Sequence, residues 1–470
     1  MGLAFHIENF GCRAARADGE AVAERLRFAG HSDTQPATAD VVVVNTCSVT
    51  AEADREARAY IRRTNRNNPA ARIVVTGCYA QRAPEELAGL PGVAAVVGNS
   101  HKALAPEIAE RVASSGTLQI NQPTGSAFVA LQELTASAGA GPAPIFADDL
   151  FAHSFLEEAQ VLPGAQTRPN LKIQEGCGNR CTFCVIPQTR GGSRSLAAEK
   201  VLSQVRGFVA AGGRELVLSG INLGRWGRDL LPEDGVRPTL ARLVRQLFAE
   251  TDLPRLRLSS IEPMDWDADL ISLLREFGGS RLARHAHLPL QSGSDSILRR
   301  MHRRYRPWHY AQKIQSLLEA AGPELTLGAD VMVGFPGETA REFGETVDLL
   351  QKLPFGYLHL FPFSPRPGTP GWELHREQPV PAAVVEERML ILRAMAREKT
   401  RCHRAASIGR ILECITLNTP ERLRLQGRTA ALSDTFLPVE IAGSFPANLL
   451  MRARLTGINN SDTLTAHIQA

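Results

Sequence analysis

The first 120 residues alternate short apolar runs, rich in β-branched residues, with stretches of helical composition. Such alternation predicts a parallel sheet with helices on both faces. The predicted strands are LAFHIENF, VVVVNT, RIVVTG and AAVVGN. Residues 121–168 break this rhythm with the Ala-, Gly- and Pro-rich stretch TASAGAGPAPIF, which predicts a linker.

A second, longer alternation fills residues 169–404 and predicts a partial (β/α)6 barrel of the TIM type. Its predicted strands are LKIQE, ELVLSG, RLRLSS, HAHLPL, GADVMVGF and YLHLFPF. Helix-length segments such as TLARLVRQLFAE separate them, and AAVVEERMLILRAMAREKTRCHR closes the domain. In such barrels the active site lies at the carboxyl ends of the strands.

The last part of the chain, residues 405–470, predicts a small all-β domain. Five short runs with no helical segment between them predict its strands: ILECITLN, RLRLQGR, FLPVEIAG, LLMRARLTG and TLTAHIQA. A small barrel or sandwich fits this pattern. The predicted fold class is therefore α/β, with an appended β domain.

Length, charge and cysteine content limit the possible location and function of this protein. A length of 470 residues agrees with about three domains, and a net charge of +4 permits a polyanionic partner without requiring one. No apolar run approaches the roughly 18 residues that cross a bilayer, and MGLAFHIENFGC does not resemble a signal peptide. We expect a cytoplasmic protein without a membrane partner. Its eight unevenly spaced cysteines then indicate metal binding or catalysis rather than disulfides.

Three cysteines form a Cys-x3-Cys-x2-Cys array in QEGCGNRCTFCVIPQTRG, at Cys177, Cys181 and Cys184. Their offsets also fit one face of a helix, but the surrounding Gly, Asn and Pro residues favour a loop after strand LKIQE. Structural zinc needs four protein ligands, and no fourth lies nearby in the sequence. Three thiolates suit a four-iron cluster that leaves one iron open.

This loop resembles the signature of the radical S-adenosylmethionine (SAM) superfamily. The resemblance implies that SAM chelates the open iron. It also implies that an electron from the cluster cleaves SAM and yields a 5′-deoxyadenosyl radical. It also implies that Phe183 lies beside the cofactor.

Cys12, Cys47 and Cys78 each follow directly on an apolar run of the first domain. The carboxyl ends of parallel strands share one edge of a sheet, so these residues are expected to converge there. Isolated buried thiols are a common alternative. Three thiols at the same relative position favour a second three-cysteine cluster. Cys402 and Cys414 have neither partners nor motif spacing, and we interpret them as isolated thiols.

Two three-cysteine sets on these domains resemble the methylthiotransferases. The motifs NTCSVT, TGCYAQ, HLPLQSGSDSILRRMHRRY, DVMVGFPGET and FPFSPRPGTP are most similar to the tRNA threonylcarbamoyladenosine methylthiotransferases of the MtaB type. The resemblance implies two [4Fe–4S] clusters, SAM, the anticodon loop of tRNA, a reductant such as a flavodoxin or ferredoxin, and methylthiolation of adenine carbon 2. It also implies that the β domain is a TRAM-like module. We expect a monomer.

Residues at the predicted strand ends supply further candidates for SAM binding. The resemblance places the methionine part of SAM at Ser219 and Gly220, and its adenine at Val333 and Gly334. Polar residues after two other strands are placed to hydrogen-bond ribose and carboxylate groups: Ser259, Ser260, Glu262, Gln291, Ser292 and Gly293. Arg190 and Arg194 follow the cysteine loop and suit a carboxylate of SAM or substrate. Each position is also open to a turn or surface role. His285 and His287 are interpreted as packed or hydrogen-bonded rather than catalytic.

Three basic runs favour contact with RNA phosphates or are simply solvated faces: residues 299–306, residues 397–404, and Arg62, Arg63 and Arg66. Residues 405–470 contain six arginines and five acids, so the TRAM-like module is only faintly basic.

Alternative functions remain open at this point. The enzyme could act on isopentenyladenosine in tRNA, as MiaB-type enzymes do, or on a ribosomal-protein aspartate, as RimO-type enzymes do. From another class, a non-catalytic metal-containing RNA-binding protein also fits.

Overall fold

The computed structural model describes residues 2–115, 142–151, 153, 161, 163, 167–232 and 235–469. Most of the predicted linker, residues 121–168, therefore lies outside the described residues. The chain divides into two compact units. The first unit is Met1–Gln160, Gly176–Asn179 and Cys184–Gly192, and the second is Val161–Glu175, Arg180–Phe183 and Ser193–Ala470. In the described part of the chain, no helix combines the length and the apolar composition needed to span a bilayer.

The first unit contains a parallel sheet, as predicted. Its described strands are β1 (Ala4–Asn9), β2 (Ser32–Asp33), β3 (Val41–Thr46), β4 (Arg72–Gly77), β5 (Val93–Gly98) and β6 (Ile145–Phe146), in the order β2-β1-β3-β4-β5-β6. Its described helices are α1 (Arg13–Phe28), α2 (Ala51–Asn67), α3 (Cys78–Arg82), α4 (Pro84–Ala88), α5 (Ala105–Ser115) and α6 (Ile186–Arg190). Successive valines of β3 point to opposite faces, so Val41 and Val43 pack in one apolar cluster and Val42 and Val44 in another.

The second unit contains the six parallel strands predicted for the partial barrel, which confirms this part of the fold class. Its barrel strands are β7 (Asn170–Glu175), the short antiparallel β8 (Arg194–Ser195), β9 (Glu215–Gly220), β10 (Arg255–Leu258), β11 (His285–His287), β12 (Thr326–Val333) and β13 (Tyr357–Pro362). They pair in the orders β10-β9-β7-β8 and β11-β12-β13, and a bridge joins Leu256 to Leu282. Helices cover the strands: α7 (Ala198–Ala210), α8 (Leu240–Glu250), α9 (Ala268–Phe277), α10 (Asp295–Arg300), α11 (Pro307–Ala321), α12 (Ala340–Lys352), α13 (Pro370–Glu377) and α14 (Ala382–Ala405).

The C-terminal part of the second unit is a closed β-barrel. Its strands are β14 (Ile411–Thr416), β15 (Arg428–Ser433), β16 (Pro438–Ala442), β17 (Leu450–Ile458) and β18 (Leu464–Ile468), in the order β14-β15-β16-β18-β17. The all-β prediction is confirmed, but the strand predicted for RLRLQGR is wrong. Pro420 precedes the short helix α15 (Glu421–Arg424), and the strand begins only at Arg428. The isolated thiol Cys414 is fully buried in the apolar core of this barrel.

A buried ionic network connects β9, β10 and the C-terminal barrel. Glu215 is fully buried, and its carboxylate lies 2.9 Å from Arg257 Nε and 3.1 Å from Arg255 Nη1. Arg255 also binds Glu413 at 2.5 Å, and Arg257 donates to the backbone carbonyl of Asp434 at 3.2 Å. Burial by itself would raise the pKa of Glu215, but Arg257 and Arg255 hold it below its usual range. The carboxylate is therefore ionised and balances the two buried guanidinium groups.

Glu215→Gln is expected to destabilise the protein by about 3–5 kcal/mol, because it leaves two buried cations without their shared carboxylate. The folded-state pKa of Glu215 is depressed, so its contribution is present above the unfolded-state pKa of about 4.3 and is lost as the pH falls. Calorimetry at neutral pH should show a lower melting temperature. Glu413 is 35% exposed, so Glu413→Gln should lose about 1 kcal/mol or less. Equal melting temperatures for Glu215→Gln and the wild type would contradict this account of the network.

Candidate functional site

Three cysteines of the first unit follow three neighbouring strands. Cys12 precedes α1, Cys47 follows β3, and Cys78 is the first residue of α3, directly after β4. The strands β1, β3 and β4 are adjacent and parallel. The fold therefore brings the three residues to one edge of the sheet, where carboxyl ends meet.

The three thiols also lie close enough to interact. Burial first, and then the neighbouring Cys78 and Cys12 thiols, raise the pKa of Cys47 to about 12. Gly11 has φ +103°, and a Cβ at this position would lie 2.7 Å from Cys47 Sγ, so a glycine is needed there. Thiolates are the usual protein ligands of iron–sulfur clusters, so this set fits iron.

Two nitrogen donors point at Cys78 from within the same unit. Arg190 Nε lies 3.2 Å and Asn99 Nδ2 lies 3.3 Å from its Sγ. Arg190 is fully buried, and its Nη1 pairs with Asp18 at 3.0 Å, while Lys102 Nζ pairs with the same carboxylate at 2.8 Å. We expected Arg190 to face a carboxylate of SAM or substrate, but the carboxylate that it binds is the protein's own Asp18. Hydrogen bonds to a ligating sulfur stabilise the thiolate and raise the reduction potential of a cluster.

The second cysteine array lies in a loop between β7 and α6, and the alternative of a helix carrying all three thiols is wrong. Cys177, Cys181 and Cys184 are each partly exposed. Gly176 has φ +68°, and a Cβ there would lie 1.9 Å from the carbonyl oxygen of Gly192, so the loop needs glycine at this turn. A partly exposed loop suits thiolates that share their metal centre with a further ligand.

Cys181 has a charged neighbour in the second unit. Arg303 Nη1 lies 3.3 Å from Cys181 Sγ, and Arg303 Nη2 binds Glu262 at 2.5 Å. Glu262, a predicted SAM contact, thus holds the arginine that faces the thiol. The neighbouring Phe183 packs against an apolar cluster that includes Met301. These contacts fix the conformation of the middle of the loop.

Three of the predicted SAM contacts carry buried oxygens for which the described residues provide no hydrogen-bond partner. They are Ser259 Oγ, Ser260 Oγ and Gln291 Oε1. Gln291 also has φ +64°, a backbone conformation that residues other than glycine rarely adopt. Buried polar oxygens without partners are costly, so a polar ligand that supplies donors fits these strand ends.

Four of the other predicted contacts have hydrogen-bond partners within the protein. Ser219 Oγ donates to the Leu171 carbonyl at 3.4 Å, and Ser292 Oγ lies 3.1 Å from Thr346 Oγ1. The Gly293 amide donates to Thr346, and the Gly334 amide donates to Glu338. Val333 is buried, and Gly220 packs on Gln174. Arg194 lies in β8. A role of these residues in SAM binding stays a prediction.

The basic run at residues 299–306 is not a bare stripe of positive charge. Each of its five arginines pairs with an acidic side chain: Arg299 and Arg306 with Asp295, Arg300 with Glu342, Arg303 with Glu262, and Arg304 with Asp265. Positions 62, 63 and 66 are exposed on α2. The arginines of residues 299–306 therefore form ion pairs within the protein, whereas the arginines of α2 offer the more accessible positive charge.

Family comparisons match both halves of this architecture. Residues 4–98 match the uncharacterized protein family UPF0004, and residues 171–350 match the Radical SAM superfamily. The first match covers the sheet that carries Cys12, Cys47 and Cys78. The second match covers the loop that carries Cys177, Cys181 and Cys184.

Two curated relatives resemble nearly the whole chain. The threonylcarbamoyladenosine tRNA methylthiotransferase MtaB of Bacillus subtilis (strain 168) is 33% identical over 444 residues, which cover 94% of this chain and 90% of that protein. The tRNA-2-methylthio-N(6)-dimethylallyladenosine synthase of Erythrobacter litoralis (strain HTCC2594) is 33% identical, covering 88% of this chain and 86% of that protein.

Among solved structures, the radical S-adenosylmethionine methyltransferase TsrM from Kitasatospora setae, with tryptophan substrate and a SAM analog bound, matches with a TM-score of 0.53. The match covers 79% of this chain and 75% of that chain at 17% sequence identity. At this identity the likeness concerns the fold alone.

Proposed function

Because this chain belongs to the tRNA methylthiotransferases of the radical SAM superfamily, we propose that it adds a methylthio group to carbon 2 of N6-threonylcarbamoyladenosine next to the anticodon. That it is an enzyme of this reaction class, with SAM and a [4Fe–4S] cluster, follows from family membership. The choice of base rests on one observation, which is the similarity to MtaB proteins over 94% of the chain.

The proposal includes two clusters. Cys177, Cys181 and Cys184 would hold the cluster that binds SAM, and the convergent thiols of Cys12, Cys47 and Cys78 would hold the second. Carbon 2 of an adenine bears an unactivated hydrogen that ordinary acid–base groups cannot remove. The clusters and SAM supply the radical chemistry and the methylthio group for this step.

The chain's own residues orient these groups. Ser259, Ser260 and Gln291 would supply oxygens to polar groups of SAM, since the described residues provide their oxygens with no partner. Arg303 would act on the first cluster through Cys181, and Arg190 on the second through Cys78. Phe183, Ser219, Gly220, Glu262, Ser292, Gly293, Val333, Gly334 and Arg194 complete the proposed surroundings of the cofactor.

We propose domains of residues 1–120 for the second cluster, 121–168 as linker, 169–404 for the radical reaction and 405–470 as the TRAM-like module. Two segments depart from these bounds, since Ile145–Phe146 joins the first sheet as β6 and parts of residues 176–192 belong to the first unit. The anticodon loop would be bound through exposed arginines such as those of α2. A cytoplasmic monomer with a flavodoxin or ferredoxin as reductant completes the proposal.

Deletion of the gene is expected to remove the methylthio mark from N6-threonylcarbamoyladenosine in tRNA. Mass spectrometry of nucleosides from digested tRNA measures this directly, and the unmethylthiolated base should accumulate in its place. Expression of the wild-type chain should restore the mark. The alternative function on isopentenyladenosine, favoured by the 33% identity to the Erythrobacter protein, predicts loss of that base's mark instead. Unchanged tRNA, or loss of the isopentenyladenosine mark alone, would refute the proposed substrate.

A further inference from the structure

One polar face of the strands β11, β12 and β13 carries a group of side chains that the proposed reaction does not use. In the parallel register, His287 lies opposite Gly328, and Asp330 lies opposite His359. Residues two apart in a strand share a face, so Asp330 lies on the same side of the sheet as Gly328 and as His287, which is opposite Gly328. The intervening residues of β12, Leu327, Ala329 and Val331, are buried apolar residues of the other face. The three polar side chains therefore meet on one side of the sheet.

The donor atoms lie at distances that suit ligands of one metal ion. His287 Nε2 is 3.1 Å and His359 Nδ1 is 3.3 Å from Asp330 Oδ1, and the three side chains offer ligand atoms within 4.8 Å of one another. Metal–ligand bonds of about 2.0–2.1 Å in a tetrahedral arrangement place neighbouring ligands about 3.3 Å apart. A hydrogen bond between an imidazolium and a carboxylate is shorter, about 2.7–2.9 Å.

Tyr357 orients the buried histidine. Its hydroxyl oxygen lies 2.9 Å from His287 Nδ1 and 2.8 Å from His285 Nε2. A Cβ at Gly328 would lie 2.1 Å from the Tyr357 ring, so only glycine lets the tyrosine cross β12 to reach both histidines. When the hydroxyl accepts from His287 Nδ1 and donates to His285 Nε2, the Nε2 lone pair of His287 faces Asp330. A hydrogen bond to the ring nitrogen that does not bind the metal fixes the tautomer of a metal-binding histidine.

The site is accessible from one side. The His359 side chain is 62% exposed, whereas that of His287 is 8% exposed. One side of the group is thus fixed and buried, and the other is open to an incoming ion.

We propose that His287 Nε2, His359 Nδ1 and the Asp330 carboxylate form a mononuclear site for a first-row divalent cation, with zinc as the best match to this ligand set. Three protein ligands leave a fourth position for an oxygen ligand, as in open zinc sites. The site contains no cysteine and shares no residue with the two proposed clusters. The inference does not depend on the proposed substrate.

The test uses the full chain with its iron–sulfur clusters already reconstituted, so that iron occupies the cysteines. After equilibration with Zn2+ and desalting, elemental analysis should find one zinc per chain at unchanged iron content. His359→Ala should lower zinc affinity at least about 100-fold, and Tyr357→Phe about 10–100-fold. His309→Ala replaces an exposed histidine of α11 and should leave zinc binding unchanged.

Cobalt adds a readout of geometry. Co2+ bound in place of zinc should give a high-spin electron paramagnetic resonance signal in the oxidised protein, and His359→Ala should remove it. Zinc binding that is equal in the wild type and His359→Ala, or absent from a correctly folded wild type, would overturn the site. In that case the group is a hydrogen-bonded network in which His287 Nε2–H donates to Asp330.

Discussion

Replacement of Cys181 by alanine is expected to abolish the reductive cleavage of SAM. The proposed cluster has three thiolate ligands, so loss of one leaves too few to hold the cubane in place. Cys181 is also the thiol that Arg303 contacts at 3.3 Å, so the arginine would lose its acceptor. We expect 5′-deoxyadenosine formation with dithionite and SAM to fall at least about a thousandfold, as on removal of an essential catalytic group. Anaerobic chromatography of the product gives the measurement.

The matched control is Cys402→Ala, since Cys402 is an exposed thiol of α14. This variant should cleave SAM at the wild-type rate. Substantial 5′-deoxyadenosine from Cys181→Ala would show that the loop does not hold the radical-forming cluster.

Replacement of Cys47 by alanine is expected to separate the two activities. Cys47 lies with Cys12 and Cys78 at the edge of the N-terminal sheet, in the first unit. Loss of this thiol should empty the second cluster and stop methylthiolation, while SAM is still cleaved at a rate within about twofold of the wild type. Both products are measured in one reaction with tRNA, 5′-deoxyadenosine by chromatography and the modified nucleoside by mass spectrometry.

Cys414→Ala provides the control for loss of a buried thiol. Cys414 is fully buried, and burial raises its pKa to about 12, as for Cys47. Both activities should survive this substitution. If Cys47→Ala lost both activities to the same extent, the division of roles between the two cysteine sets would be wrong.

Much of the fold follows from local patterns in the sequence. The run VVVVNT is buried along its whole length because both faces of a parallel sheet are covered, so its apolar character alone marks it as a strand. The convergence of Cys12, Cys47 and Cys78 needed one further rule, that parallel strands end at a common edge. The sequence predicts that His285 and His287 are packed or hydrogen-bonded, and both hydrogen-bond to Tyr357.

Local patterns failed to predict elements where neighbouring residues favour different structures or where a strand is very short. The alternation in RLRLQGR suits a strand, but Glu421 in the first turn favours a helical start. The strands Ser32–Asp33 and Ile145–Phe146 are two residues long, too short for any periodicity to be visible.

Contacts between distant residues could not be predicted from one sequence. Arg190 meets Asp18 across 172 positions and Cys78 across 112, and no local spacing marks these partners. The same holds for Arg303 and Cys181, which are 122 positions apart. The acidic partners of the arginines in residues 299–306 could likewise not be predicted from the sequence, and contact of this run with RNA phosphates stays a prediction.

The central claim is that six cysteines form two separate cluster sites. Iron and sulfide analysis with Mössbauer spectroscopy of the anaerobically reconstituted chain tests it most directly. We expect about eight irons per chain in the wild type, and about four when Cys12, Cys47 and Cys78 are all replaced by alanine or when Cys177, Cys181 and Cys184 are. A wild-type chain that holds only about four irons, or that binds zinc at either cysteine set, would contradict the claim.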